Sequence, residues 1–171
     1  MVHMLRNYEL SPYTLAILPA ELEGVNGASE VLEEEGNHYV RATPKTLVDR
    51  SCRYFGSSLK GRQDGTKDVC GITHKAPIVI DPTSGMYFFP TTSPQNSDCA
   101  WISHSHISST KKMPDQRTLL TFTNGTAIQL PVSHGSILNQ IQRTAQFRFQ
   151  LNERLQAYQR VNHDRVAEHF S

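Results

Sequence analysis

The sequence predicts an α+β fold: a mostly antiparallel sheet with a basic helical insertion and a long C-terminal helix. Three observations predict it. Short alternating or apolar runs bounded by turn residues recur along the chain, as hairpin strands do. "TPKTLVDRSCRYFG" (43–56) interrupts them with a helix start and a helix stop. Residues 136–161 hold no Gly or Pro and carry one apolar stripe at helical spacing.

Taken in order, "YTLAILP" (13–19) reads as a short buried strand closed by Pro19, and "NHYVRAT" (37–43) as a half-exposed strand. In the first helix Thr43 caps, Pro44 suits the first helical position and Gly56 the stop. Leu47, Val48, Cys52 and Phe55 share a face there, with Lys45, Arg50 and Arg53 pointing away from it. "SSLKGRQDGTKDVCG" has room for one short helix between glycine turns. "APIVIDP" (76–82) and "MYFFP" (86–90), joined by "TSG", form a hairpin. "CAWISHSHIS" (99–108) alternates as one strand, with Ile102, His104 and His106 on a common face. "TLLTFTNGTAIQLP" (118–131) is a hairpin whose Asn124-Gly125 pair signals a type I′ turn. Ile137, Ile141, Thr144, Phe147, Leu151, Leu155, Tyr158 and Val161 then step by three or four along the last helix. At 1.5 Å per residue that helix spans roughly 39 Å, longer than a small sheet, so its far end is expected to pack on a second copy of the chain. After Val161 the signals fade.

At 171 residues the chain is read as a single domain, 1–171, large enough for a core without disulfide or metal staples. Its portion 1–40 is acidic and its helix 134–161 is a candidate dimer interface. Only 37% of residues are hydrophobic, and no apolar run approaches the roughly 20 residues of a membrane span. The N-terminus lacks the basic and apolar regions of a secretion signal. Three widely spaced cysteines do not make a secreted disulfide framework. A reducing cytoplasm is the expected setting. Net charge is +1, but it is unevenly spread: −6 over residues 1–40, +5 over 41–75 and +2 over the rest. A basic segment of this kind invites a polyanion.

Residues 48–77, "VDRSCRYFGSSLKGRQDGTKDVCGITHKAP", offer three chemistries. A thiol nucleophile needs a Cys with a lowered pKa, whereas Cys52 sits mid-helix on the apolar face. A metal site could draw on His104 and His106 with Cys70, His74 or Cys99, but no CxxC-type pair exists. A grip on phosphates uses cations, hydroxyls and backbone N–H groups at a helix start. "GSSLKGR" supplies all of these, and the stretch holds six cations: Arg50, Arg53, Lys60, Arg62, Lys67 and Lys75.

The blocks "VDRSCRYFGSSLKGR", "THKAPIVIDP", "FFPT", "WISHSHI", "FTNG", "LPVS" and "NQIQRTAQFR" occur in an order and spacing that closely resemble the bacterial competence transcription factor family, ComK. The likeness runs from about Tyr39 to Arg148. It implies a cytoplasmic, non-enzymatic activator of genes for DNA uptake and recombination, and of its own gene. The resemblance further implies binding to paired A·T-rich promoter boxes through the minor groove, DNA bending, two dimers per promoter, and adaptor-guided proteolysis. Within the block it picks out, Arg50, Arg53, Lys60 and Arg62 are the expected main DNA contacts, supported by Ser57, Ser58, Lys67, His74 and Lys75. No catalytic residue, cofactor, metal or membrane partner is expected. The ending "QRVNHDRVAEHFS" departs from the family's aromatic-Leu-Tyr-Pro-type adaptor signal, and residues 1–37 match it poorly. The alternative is an interaction module, a short paralogue that dimerises with a longer member and activates weakly or not at all.

Overall fold

A computed structural model describes residues 3–170. Its layers follow from strand alternation. In β6 (Met86–Pro90) and β7 (Trp101–Ser103), successive side chains point to opposite faces, and both faces are apolar. Phe88 and Trp101 enter one core, Phe89 and Ile102 another. The sheet that holds them is therefore covered on both sides. It is completed by β1 (Met4–Leu5), β2 (Thr14–Leu22), β3 (Val25–Glu33), β4 (Gly36–Val40) and β5 (Ile78–Asp81), in the order β1-β4-β3-β2-β7-β6-β5. β1 runs parallel to β4, and the other neighbours are antiparallel. A second, antiparallel sheet holds β8 (Ile107–Met113), β9 (Arg117–Phe122) and β10 (Ala127–Leu130).

Two helices cover one face of the large sheet. From α1 (Pro44–Tyr54) come Leu47, Val48 and Cys52, and from α2 (Leu59–Cys70) comes Leu59. They pack with Ile17, Val31, Ile78, Phe88 and Trp101. On the other face, Leu120, Phe122 and Leu130 of the small sheet and Ile137 of α3 (His134–Phe170) meet Leu15, Phe89 and Ile102. Further along α3, Phe147 lies edge-on to Tyr87 with ring centroids 5.8 Å apart, beside Val79. Leu151 reaches Val69 and Cys70 at the end of α2. From Asn152 to Phe170 every residue of α3 is exposed.

The predicted α+β architecture stands, with five local corrections. Pro19 does not close its strand, because β7 pairs with β2 only at Ala16 and Ile17. Beyond Ile17 one side of β2 is an edge, where a residue without an N–H costs no ladder bond. "CAWISHSHIS" is not one strand: His104–His106 form a 3₁₀ turn that carries the chain from the large sheet to the small one. The hairpin at Asn124-Gly125 forms, but its turn is not type I′. Gly125 alone of the pair has positive φ (89°), and the Phe122 carbonyl accepts from the Gly125 N–H at 2.9 Å. The left-handed pair is Asp115 and Gln116, in the turn between β8 and β9. Gly61 and Gly65 lie inside α2 rather than in turns; a Cβ on Gly61 would meet Ser57 Oγ at 2.7 Å. Finally, α3 continues past Val161 to Phe170, about 55 Å for its 37 residues at 1.5 Å each.

The acidic portion supplies strands as well as charge. Glu33 ends β3 with Oε1 accepting from Thr14 Oγ1 at 3.3 Å. Burial first, then the charge of Glu34, pushes its carboxyl up to about 7. The folded state thus keeps a proton that the unfolded chain releases above the ordinary value of 4.5. Stability present below that value is lost as pH rises towards 7. Glu33→Gln is expected to raise the urea midpoint at about pH 8 and leave it nearly unchanged near pH 4. Equal midpoint shifts at both pH values would show that Glu33 ionises as it does in the unfolded chain.

Candidate nucleic-acid interface

Local capping fixes where the basic segment points. Thr43 Oγ1 accepts from the Thr46 N–H (3.2 Å) and Ser58 Oγ from the Gly61 N–H (2.9 Å), so each helix begins where its hydroxyl stands. Gly71 closes α2 in the left-handed conformation, φ 75°. Burial of Leu47, Val48, Ser51 and Cys52 turns Arg50 and Arg53 outward. Thr66, fully buried, donates to the Pro77 carbonyl at 2.6 Å and holds α2 to the chain entering β5.

The nine candidate residues do not form one cluster. Lys60 and Lys67 of α2, with His74 and Lys75 of the following loop, line a common groove of about 380 Å³. Gln63 and Asp64 share their side of it; Thr73 and Ala76 belong to the loop, and Ser93, Pro94 and Gln95 face in from the β6–β7 connection. Pro94 and Gln95 also line a neighbouring depression of about 540 Å³ that reaches Pro44 and Lys45 at the start of α1. Arg50, Arg53, Ser57, Ser58 and Arg62 lie outside the groove lining.

Their individual settings differ. Arg50 is exposed, with no carboxylate partner among the described residues. Arg53 Nε sits 2.9 Å from Asp49 Oδ2. Asp49 is itself held below the usual carboxylate range, first by the Leu59 N–H and then by Arg53. Lys60 Nζ lies 3.3 Å from Asp64, both exposed. Such surface pairs contribute about 0–1 kcal/mol and yield readily to a phosphate. Lys67 is exposed without a carboxylate partner among the described residues. Arg62 faces inward: its Nη2 donates to the carbonyls of Phe55 (3.4 Å) and Ile80 (3.2 Å), joining α1's end to β5. Ser58 is engaged as a cap.

Sequence reasoning missed Gln63, Thr73, Ser93 and Gln95 as neighbours of the lysines. Thr73 is adjacent to His74 and was within reach of it. Ser93 and Gln95 arrive through the pairing of β6 with β7, which no local pattern announces.

The rival chemistries fare differently. Burial pushes the Cys52 thiol up to about 12 and the Cys99 thiol upward as well, which keeps both protonated. Cys70 is half-buried and donates to the Thr66 carbonyl. His104 and His106 serve different partners. His104 Nδ1 faces Arg148 Nη1 at 3.4 Å, whereas His106 Nε2 donates to the Pro12 carbonyl at 2.7 Å and Nδ1 lies 3.5 Å from Glu34. Among the described residues no three His, Cys, Asp or Glu side chains are placed to hold a metal, and no helix is long and apolar enough to cross a membrane.

A family model described as "ComK protein" matches residues 5–156. The competence transcription factor of Bacillus subtilis (strain 168) is 42% identical over 151 residues, covering 88% of this chain and 78% of that protein. No solved structure matches. Matched over most of its length by both, the chain belongs to the ComK family.

Proposed function

We propose that this chain is a DNA-binding activator of competence genes that contacts paired A·T-rich boxes largely through the minor groove. The observation that carries the reading is the groove itself. It gathers Lys60, Lys67, His74 and Lys75 with the uncharged donors Gln63, Thr73, Ser93 and Gln95. Cations bind phosphates and release counterions, which supplies affinity without sequence information. Amide and hydroxyl donors suit the A N3 and T O2 acceptors, the only hydrogen-bonding groups A·T pairs show in the minor groove. A·T tracts add a narrow, strongly negative groove that attracts basic side chains. Arg50 and Arg53 then serve as flanking phosphate contacts, while Arg62 ties the end of α1 to β5.

Self-association completes the proposal: two chains, or two pairs of chains, span the two boxes. The exposed half of α3 favours this, since Leu155, Tyr158 and Val161 project 40%, 76% and 52% of their surface into solvent. The same feature supports the second reading, an interaction module that pairs with a longer family member and activates weakly. Control by an adaptor-protease system belongs with either reading.

A mobility-shift titration separates the two. A duplex with two A·T-rich boxes is expected to bind at least about tenfold more tightly than a G·C-rich control, with affinity falling steeply as salt rises. Distamycin, which fills the A·T minor groove, is expected to compete. A self-associating protein that shifts neither duplex would leave the interaction module standing.

A further inference from the structure

We infer that Gln140 and Arg143 of α3 are positioning residues for the groove, fixing both of its walls from behind. The inference rests on the DNA-binding reading above for its consequence, but on geometry for its mechanism. Gln140 is fully buried. Its single amide nitrogen donates to two carbonyls, Lys75 O at 2.9 Å and Pro90 O at 2.8 Å. Lys75 belongs to one wall of the groove. Pro90 ends β6 and leads directly into the loop carrying Ser93 and Gln95, the opposing wall. One side chain therefore spans the base of the groove.

Arg143 completes the arrangement. Its Nη1 donates to Gln140 Oε1 at 2.6 Å, which fixes the amide's orientation, and its Nη2 donates to the His74 carbonyl. Arg143 has no carboxylate partner among the described residues. Its hydrogen-bonding capacity is directed at the groove wall instead.

The backbone shows why such a device is needed. Lys75 has φ of +47°, a left-handed conformation that non-glycine residues adopt only where the surroundings impose it. The bonds from α3 to the carbonyls of His74 and Lys75 impose it. Without them the His74-Lys75 peptide can relax to negative φ and re-aim both side chains. Neither Gln140 nor Arg143 lines the groove, and both come from a segment some 65 residues distant in sequence from the wall they hold.

The test uses the full chain and three variants: Arg143→Ala, Arg143→Lys and Gln140→Met. Without DNA, the backbone Cα and Cβ chemical shifts, which report φ and ψ, are expected to change at residues 73–76 in all three, Lys75 leaving its left-handed value, and also at 92–95 in Gln140→Met. With a duplex of two A·T-rich boxes, Arg143→Lys is expected to lose affinity about as much as Arg143→Ala, at least about fivefold, with a shallower salt slope. Arg143→Lys binding like the parent while Arg143→Ala weakens would make Arg143 a direct phosphate contact and overturn the inference. Unchanged chemical shifts at 73–76 in the Arg143 variants would overturn it too, whatever the DNA result. Because Arg143 is partly exposed, its variants decide the matter even if Gln140→Met fails to fold. Parent-like DNA binding by Lys60→Ala with Lys67→Ala would move the DNA contacts off the groove instead, and a parent protein that shifts neither duplex would sink the DNA-binding reading; in both cases the chemical shifts alone judge the hold of α3 on the two walls.

Discussion

Lys60→Ala combined with Lys67→Ala is expected to weaken binding to a two-box A·T duplex by about tenfold or more at physiological salt. The salt slope should fall by about 0.9 for each phosphate that is no longer neutralised, so by nearly two in total. Both ammonium groups lie on the exposed side of α2 and line the groove. Only Lys60 gives up a partner, the exposed Asp64, and such a pair contributes little to stability. Thermal stability should therefore stay near that of the parent. Arg62→Ala is the informative contrast. Its guanidinium bonds two backbone carbonyls rather than solvent, so its removal should lower stability while leaving the salt slope nearly intact. A double lysine variant with parent slope and affinity would move the DNA contacts away from the groove.

Phe147→Ala is expected to destabilise the fold by about 3–5 kcal/mol, the usual cost of removing a buried aromatic ring. The side chain is 1% exposed and packs on Tyr87 and Val79, the main apolar anchor of α3 beyond its first turns. Denaturant unfolding followed by tryptophan fluorescence measures the change, since Trp101 is fully buried in the opposite core. A destabilisation below about 1 kcal/mol would mean that Ile137 and the polar ties through Gln140, Arg148 and Arg154 seat the helix without help from the ring.

Both expectations concern features of unequal visibility in the sequence. Helix starts were legible because capping is local: Thr43, Pro44 and Ser58 stand next to the turns they begin. The stripe of α3 was legible for the same reason, and its four buried residues include Ile137, Thr144 and Phe147. β3 was hidden because glutamates dominate "SEVLEEE"; only Val31 and Leu32 reveal a buried face, and they are adjacent rather than alternating. The basic segment was legible as charge but not as a surface. Nothing in "GSSLKGR" tells that Arg62 must serve the carbonyls of Phe55 and Ile80, because Ile80 arrives from a strand 18 residues on. The groove's far wall, Ser93 and Gln95, depends on sheet topology and could not be read locally. "HSH" misled because a period of two does not distinguish a continuous strand from a strand that stops and turns.

The bare second half of α3 bears on how this protein melts. Beyond Arg154, which ties the helix to Asp68 at 2.9 Å, every residue to Phe170 is exposed and none joins an apolar cluster among the described residues, and a helix segment of some 16 residues without such support hovers near break-even in water. It should unwind on warming well before the two cores give way, unless neighbouring molecules keep it dry. Ellipticity would then fall in two stages, the earlier one sensitive to dilution. A single two-state fit to that signal would misstate how stable the sheet beneath is.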